Sequence, residues 1–291
     1  MARLEIEDTG PREAPAVLLI AGIGEQLTRW PEPFIAELRK RGLRVVRFDN
    51  RDAGLSESFS TPGTEDLRAF ARLVAGDGKV VLPYGLDDMA DDALGVLEQL
   101  GLASAHLLGV SLGAMIAQSA AARRPDAVLS LTLAMTSSGE TQYMRPTPQL
   151  LLALMSGGAG TPEDQAARRS VAWAKAVAGP AYPIDARAIE ASARRDYRRA
   201  HSPNGTLRQI GAALVQGDRR ADLGRIRVAA EIVHGACDPL LDVAGARAVA
   251  AAIPGSRLTV IDGMGHDLSP QLTDQLLAAF DRAFARSALA G

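Results

Sequence analysis

The chain has one cysteine, Cys237, in 291 residues. No internal disulfide can form, and zinc sites built on cysteine clusters are excluded. It has no uninterrupted apolar run long enough to cross a bilayer. Its first ten residues, MARLEIEDTG, are charged and lack the apolar core of a signal peptide, so the expected location is the cytoplasm. It also lacks a charge bias: the formal net charge is −2, which gives no general attraction to nucleic acid or anionic lipid. The arginine pairs Arg194–Arg195 and Arg198–Arg199 read as a solvated helix face, because no aromatic stacking platform accompanies them. Histidine is scarce too, with four in all, which shortens any search for a catalytic base.

What is present is an ordinary globular balance, 47% hydrophobic and 23% charged, ample to bury a core. Short apolar runs predict strands at Arg3–Glu7, Ala16–Ala21, Arg44–Asp49, Ala105–Val110, Val128–Met135, Ala229–His234 and Arg257–Asp262. Most are nearly continuous apolar runs, as suits parallel strands covered on both faces. Helical patterns fall between them at Phe34–Arg41, Asp87–Leu100, Leu112–Arg124 and Val243–Ala252. A last helix is expected to start with Ser269 as N-cap and Pro270 at its first position, and to run to about Arg286. The alternation predicts an open α/β sheet. Residues 139–225 break the rhythm: they show Ala-, Leu- and Arg-rich helical stretches and no convincing strand. They read as a helical insertion over the carboxyl edge of the sheet. The core is then 1–138 with 226–291.

Val17–Leu27, VLLIAGIGEQL, takes a strand into a glycine-rich loop. Such a loop aims backbone N–H groups at negative charge, either a nucleotide phosphate or an oxyanion. The third glycine of a dinucleotide loop is missing, since Gly24 is followed by Glu25, Gln26 and Leu27.

Gly109-Val110-Ser111-Leu112-Gly113 is G-x-S-x-G between a predicted strand and a predicted helix. That turn lifts a serine hydroxyl above the sheet edge, and only small neighbours permit it. A serine hydroxyl needs a base to become a nucleophile. His106 lies inside the preceding strand, His201 in a surface loop of the insertion, and His234 at a strand end before Gly235. His266, in IDGMGHDL, follows the last strand and therefore shares the sheet edge with Ser111. Asp238, in VHGACDPLL, follows the penultimate strand and is the candidate to orient the imidazole. Asp242, a helix starter, and Asp267, beside His266, are its competitors. Cys237 reads as a small residue packed beside Asp238, with nothing adjacent in sequence to lower its pKa.

GVSLG, HGACDPL and GMGHD, with Asp-x-Arg-x-x-Gly-x-Ser in RFDNRDAGLSE, resemble the α/β-hydrolase superfamily along nearly the whole chain. GLRVVRFDNRDAGLS and IPGSRLTVIDGMGHDL are similar to small carboxylic ester hydrolases of the aclacinomycin methylesterase type. The resemblance implies a mostly parallel sheet of seven or eight strands flanked by helices, a helical cap, and acyl transfer to water without a metal or organic cofactor. The expected substrate is a small-molecule ester. Two departures stand out. One strand precedes Ala16–Ala21 where the family has two, and Ala21-Gly22 replaces the family's His-Gly pair.

The expected chemistry has Ser111 as nucleophile, His266 as base and Asp238 as its orienting acid. The backbone N–H groups of Ile23 and Leu112 are the expected oxyanion donors. Trp30, Met135, Tyr143, Met144 and Trp173 are candidates to line a substrate pocket, and equally read as core. Other chemistries remain open on the same three residues: C–C bond hydrolysis, perhydrolysis, or ligand binding without efficient turnover. Ser111 counts against epoxide hydrolase and haloalkane dehalogenase chemistry, which in this fold uses a carboxylate nucleophile.

Overall fold

Five buried residues in a row, Ala16–Ile20, form strand β2, and six more, Ala105–Val110, form β4 beside it. Runs of this kind persist only where both faces of a sheet are covered. The computed structural model describes residues 2–59, 68–69, 72, 80–144, 148–155, 158–202 and 204–289. Their strands are β1 (Ile6–Thr9), β2, β3 (Arg44–Phe48), β4, β5 (Val128–Ala134), β6 (Ala229–Gly235) and β7 (Arg257–Ile261). They form one sheet in the order β1-β3-β2-β4-β5-β6-β7. All pairings are parallel except β1 with β3. The sheet therefore has seven strands among the described residues, the lower of the two expected numbers, and β1 is its antiparallel edge.

Alternation along the strands divides the core in two. Leu18, Ile20, Val46, Phe48, Ala105 and Leu107 face one cluster, together with helices α2 (Leu86–Gln99) and α3 (Leu112–Arg123). Val17, Leu19, Val45, Leu108 and Val110 face the other, with α1 (Glu32–Lys40) and the C-terminal helix. A one-residue slip of either central strand exchanges the two sets, so the register is strongly specified.

Between β5 and β6 the described residues form helices and no strand of the sheet: α4 (Pro148–Met155), α5 (Pro162–Val177), α6 (Ala186–Arg199), α7 (Gly205–Gln216) and the short α8 (Arg220–Leu223). The α5 start is capped by Thr161, which accepts from Asp164 N–H while the Asp164 carboxylate accepts from Thr161 N–H. Asp185 caps α6. The arginines of α6 are not all solvated. Arg194 and Arg198 pair with Glu163, but Arg199 turns inward to the fully buried carboxylate of Asp49 at 2.7 Å.

After β6, α9 (Val243–Ala252) is capped by Asp242. The C-terminal α-helix, α10, begins at Thr273 rather than at Pro270. Pro270–Leu272 form a separate tight turn, and Ser269 makes no side-chain cap bond there. Among the described residues no helix is long and apolar enough to cross a membrane.

Candidate active site

The parallel strands β4, β6 and β7 end on one edge of the sheet, and Ser111, Asp238 and His266 follow them. Ser111 sits between β4 and α3 with φ 55° and ψ −117°, a backbone conformation that L side chains rarely adopt. Close packing holds it there. A Cβ on Gly113 would lie 2.1 Å from Ile20 O, and one on Gly109 would lie 2.3 Å from Gly113 O. The two glycines of G-x-S-x-G are thus required by backbone approach, and Ser111 N–H is fixed by Ala134 O at 2.9 Å.

His266 Nε2 is 3.0 Å from Ser111 Oγ, and its Nδ1 is 2.6 Å from Asp238 Oδ2. The other carboxylate oxygen, Oδ1, accepts the backbone N–H groups of Leu240 and Leu241, both at 2.9 Å. Burial pushes the Asp238 carboxyl up, but His266, His234 and the Leu241 N–H outweigh it and hold the pKa below its ordinary value. An ionised Asp238 places the imidazole proton on Nδ1 and leaves Nε2 to accept from the serine hydroxyl. The competing acids are engaged elsewhere: Asp242 accepts Ala244 N–H, and Asp267 lies 3.6 Å from Arg29. Cys237 is exposed rather than packed beside Asp238.

The helical segment reaches the His266 loop directly. His266 N–H donates to Val177 O at 2.8 Å, at the end of α5. Gly265 and Gly179 leave room for that approach: a Cβ on Gly265 would lie 2.1 Å from Val177 O, and one on Gly179 2.1 Å from Gly263 O.

Two backbone donors lie beside Ser111. A Cβ built on Gly22 would be 3.5 Å from the Ser111 Cβ, which sets the Gly22-Ile23-Gly24 loop against the serine. Ile23 N–H finds no acceptor among the described residues, and nor does Leu112 N–H, at the first position of α3. Ala21 has no polar side chain, and the loop is held by other groups. Glu25 Oε2 accepts Gly22 N–H at 2.9 Å, Asn50 Nδ2 donates to Ala21 O at 3.1 Å, and Gln209 Oε1 accepts Gly24 N–H at 2.7 Å. Sequence reasoning missed all three. Glu25, three residues after Gly22, carried the one local signal, since a carboxylate at that spacing can turn back onto a backbone N–H.

The Asp-x-Arg-x-x-Gly-x-Ser turn backs this loop. Asp49 accepts Leu27 N–H at 2.6 Å and Leu55 N–H at 2.9 Å, and Gly54 is required both by its φ of +54° and because a Cβ there would strike the Asp49 carboxylate. Asp52, at φ 66°, is clamped by Arg208 at 2.6 and 2.7 Å and by Tyr84 Oη at 2.7 Å.

The five candidate pocket residues fall in three places. Trp30 and Met135 are buried in the second core cluster, Trp30 stacked on Phe34. Met135 has φ 51°, strained for a bulky side chain, immediately after β5. Tyr143 and Met144 are half-buried against the Asp238 side of the sheet edge, where Tyr143 O accepts Asp242 N–H and Met144 pairs with Leu241. Trp173 is half-buried on α5. Among the described residues no cluster of His, Cys, Asp and Glu suits a metal ion.

An open, mostly parallel sheet with a strained serine between strand and helix, hydrogen-bonded to a histidine on the same edge, defines a hydrolase-type architecture. The sequence profile of the alpha/beta hydrolase fold family matches residues 15–271, and the chain belongs to that family. It is 30% identical to rhodomycin D methylesterase of Streptomyces sp. strain C5, over 92% of this chain and 90% of that protein. It is 25% identical to 3-oxoadipate enol-lactonase 2 of Acinetobacter baylyi, over 87% and 82%. Among solved structures, the enol-lactonase from Burkholderia xenovorans superposes with a TM-score of 0.71 at 22% identity, over 96% of both chains.

Proposed function

We propose that the protein hydrolyses carboxylic esters of small molecules through a covalent acyl-enzyme on Ser111, and that methyl esters are among its substrates. The observation that carries this reading is the hydrogen-bonded row Ser111 Oγ–His266 Nε2 and His266 Nδ1–Asp238 Oδ2, at 3.0 and 2.6 Å. The methylesterase relative supports the ester class and the choice of methyl esters.

In this reading His266 Nε2 takes the Ser111 proton as Oγ attacks the ester carbonyl. The carbonyl oxygen becomes an oxyanion and is held by the N–H groups of Ile23 and Leu112, reinforced by the start of α3. Asp238 stabilises the imidazolium. His266 then protonates the departing alcohol. A water, deprotonated by His266 in turn, attacks the acyl carbon and frees the acid and Ser111. Residues 1–138 and 226–291 form the catalytic core, and 139–225 cover its carboxyl edge and shape the substrate space.

The test is a panel of methyl, p-nitrophenyl and lactone esters, with a vinylogous diketone, run on wild type and Ser111→Ala. Repeated turnover of esters that Ser111→Ala abolishes supports the reading. A single stoichiometric burst points instead to a ligand-binding role, and cleavage of the diketone alone to a C–C hydrolase.

A further inference from the structure

Three consecutive backbone N–H groups, on Gly22, Ile23 and Gly24, have different fates. The outer two are occupied, by Glu25 Oε2 and by Gln209 Oε1, and the middle one is free among the described residues. A peptide pinned on both sides has little freedom to rotate, so the direction of Ile23 N–H is set by its neighbours' acceptors.

Gln209 is distant from the loop in sequence and lies on α7, outside the sheet. Its side chain is fully buried, and both ends of its amide are used: Oε1 accepts Gly24 N–H at 2.7 Å, and Nε2 donates to Arg51 O at 2.8 Å. That pairing fixes which way the amide faces. The helix around it is seated on the same two loops. Thr206 Oγ1 would lie 2.7 Å from a Cβ on Gly24, a Cβ on Gly205 would lie 2.2 Å from Asp52 O, and Arg208 clamps the Asp52 carboxylate. Gly24 itself has φ +68°, so glycine is required there by conformation and by space.

We propose that Gln209 is a positioning residue for the oxyanion donor. Helix α7, from the segment between β5 and β6, sets the Ile23 N–H by holding the next N–H in the chain, in a loop where Ala21 supplies no side-chain hydrogen bond. The inference rests on the serine hydrolase reading. It makes the oxyanion site a joint product of the sheet and the helical segment.

The test compares Gln209→Met, which keeps the side-chain length and loses both bonds, with Gln216→Met on the same helix, whose side chain touches Asp87 rather than the loop. Three quantities are read: kcat and KM on a p-nitrophenyl ester, the inhibition constant of a trifluoromethyl ketone that forms a tetrahedral adduct, and hydrogen exchange at Gly24. Gln209→Met is expected to lower kcat by about 10- to 100-fold with KM changed by less than about 3-fold. Ketone affinity should fall by a similar factor to kcat/KM, and Gly24 exchange should accelerate. Gln216→Met should leave all three near wild type. Equal losses in the two variants, or unchanged kcat in a folded Gln209→Met, overturn the proposal. So does a Gly24 amide in the wild type that exchanges as fast as an unbonded loop amide, a measurement that needs no variant to fold. Turnover that survives Ser111→Ala overturns the serine hydrolase reading and the oxyanion role with it. Unchanged turnover in Gln209→Met while Ser111→Ala is inactive overturns the role of Gln209 alone.

Discussion

His234 Nε2 lies 3.3 Å from Asp238 Oδ2, the same oxygen that receives His266 Nδ1, and 2.9 Å from Leu241 O. Burial lowers the His234 pKa, and its attraction to Asp238 does not reverse that, so the ring is neutral with its proton on Nε2. The proton is donated to Leu241 O, and His234 thereby holds the Leu240–Leu241 turn whose N–H groups grip Asp238 Oδ1.

Replacing His234 with Phe removes this donor and leaves the shape. A net hydrogen bond is worth on the order of 1 kcal/mol, so kcat should fall by about 3- to 10-fold with KM little changed. Steady-state kinetics on the purified variant check this. An unaltered kcat in a folded protein means that His234 does not position the Asp238 loop.

The backbone at Ser111 gives a second expectation. At φ 55° and ψ −117° a side chain is strained and glycine is not. Ser111→Gly should therefore be more stable than Ser111→Ala by roughly 1 kcal/mol, in the same direction as the preference for glycine over alanine at a helix N-cap, while both are inactive. Urea denaturation of the two variants measures the difference. An Ala variant as stable as the Gly variant means that the turn carries no strain.

These contacts show what the sequence made legible. Ala105–Val110 and Val243–Ala252 were readable to the residue, because continuous apolar runs and flanking Gly, Asp and Pro signals agree there. The edge strand was misplaced by a few residues. Arg3 and Glu5 spend their backbone bonds on Glu57 and Asp49 in the neighbouring turn, and the ladder with β3 begins only at Ile6. Ser111, Asp238 and His266 were readable because each follows a strand on one edge. Glu25, Asn50 and Gln209 were not singled out. They are polar residues in ordinary loop and helix settings, and for Asn50 and Gln209 their meaning comes from partners far along the chain. The inward turn of Arg199 was hidden for the same reason, since its partner Asp49 is buried 150 residues away in sequence.

The fold also predicts an acid sensitivity. His106 is buried in β4, with Nδ1 2.8 Å from Ser130 Oγ and its ring against Phe280 and Phe284. Burial pushes its pKa down from 6.5 to about 4. Below pH 6.5 the unfolded chain takes up a proton that the folded chain refuses. Stability is therefore complete above that pH and declines as pH falls toward 4, by up to about 3 kcal/mol from this residue. Carboxylates held below their ordinary range, such as Asp238, add the same trend at still lower pH. Unfolding free energy measured by urea titration from pH 7 to pH 4 should show a shallower decline in His106→Gln than in wild type. Parallel declines mean that His106 is not the group responsible.

An acyl group carried by Ser111 can be trapped there. Wild type is mixed with excess p-nitrophenyl acetate, quenched with acid in the pre-steady state, digested and mapped by mass spectrometry, beside Ser111→Ala and Cys237→Ala. Acetyl is expected on Ser111 in wild type and in Cys237→Ala, and neither acetyl nor turnover in Ser111→Ala. Acetyl on the exposed Cys237 in place of Ser111, or wild-type turnover by Ser111→Ala, contradicts an acyl-enzyme on Ser111.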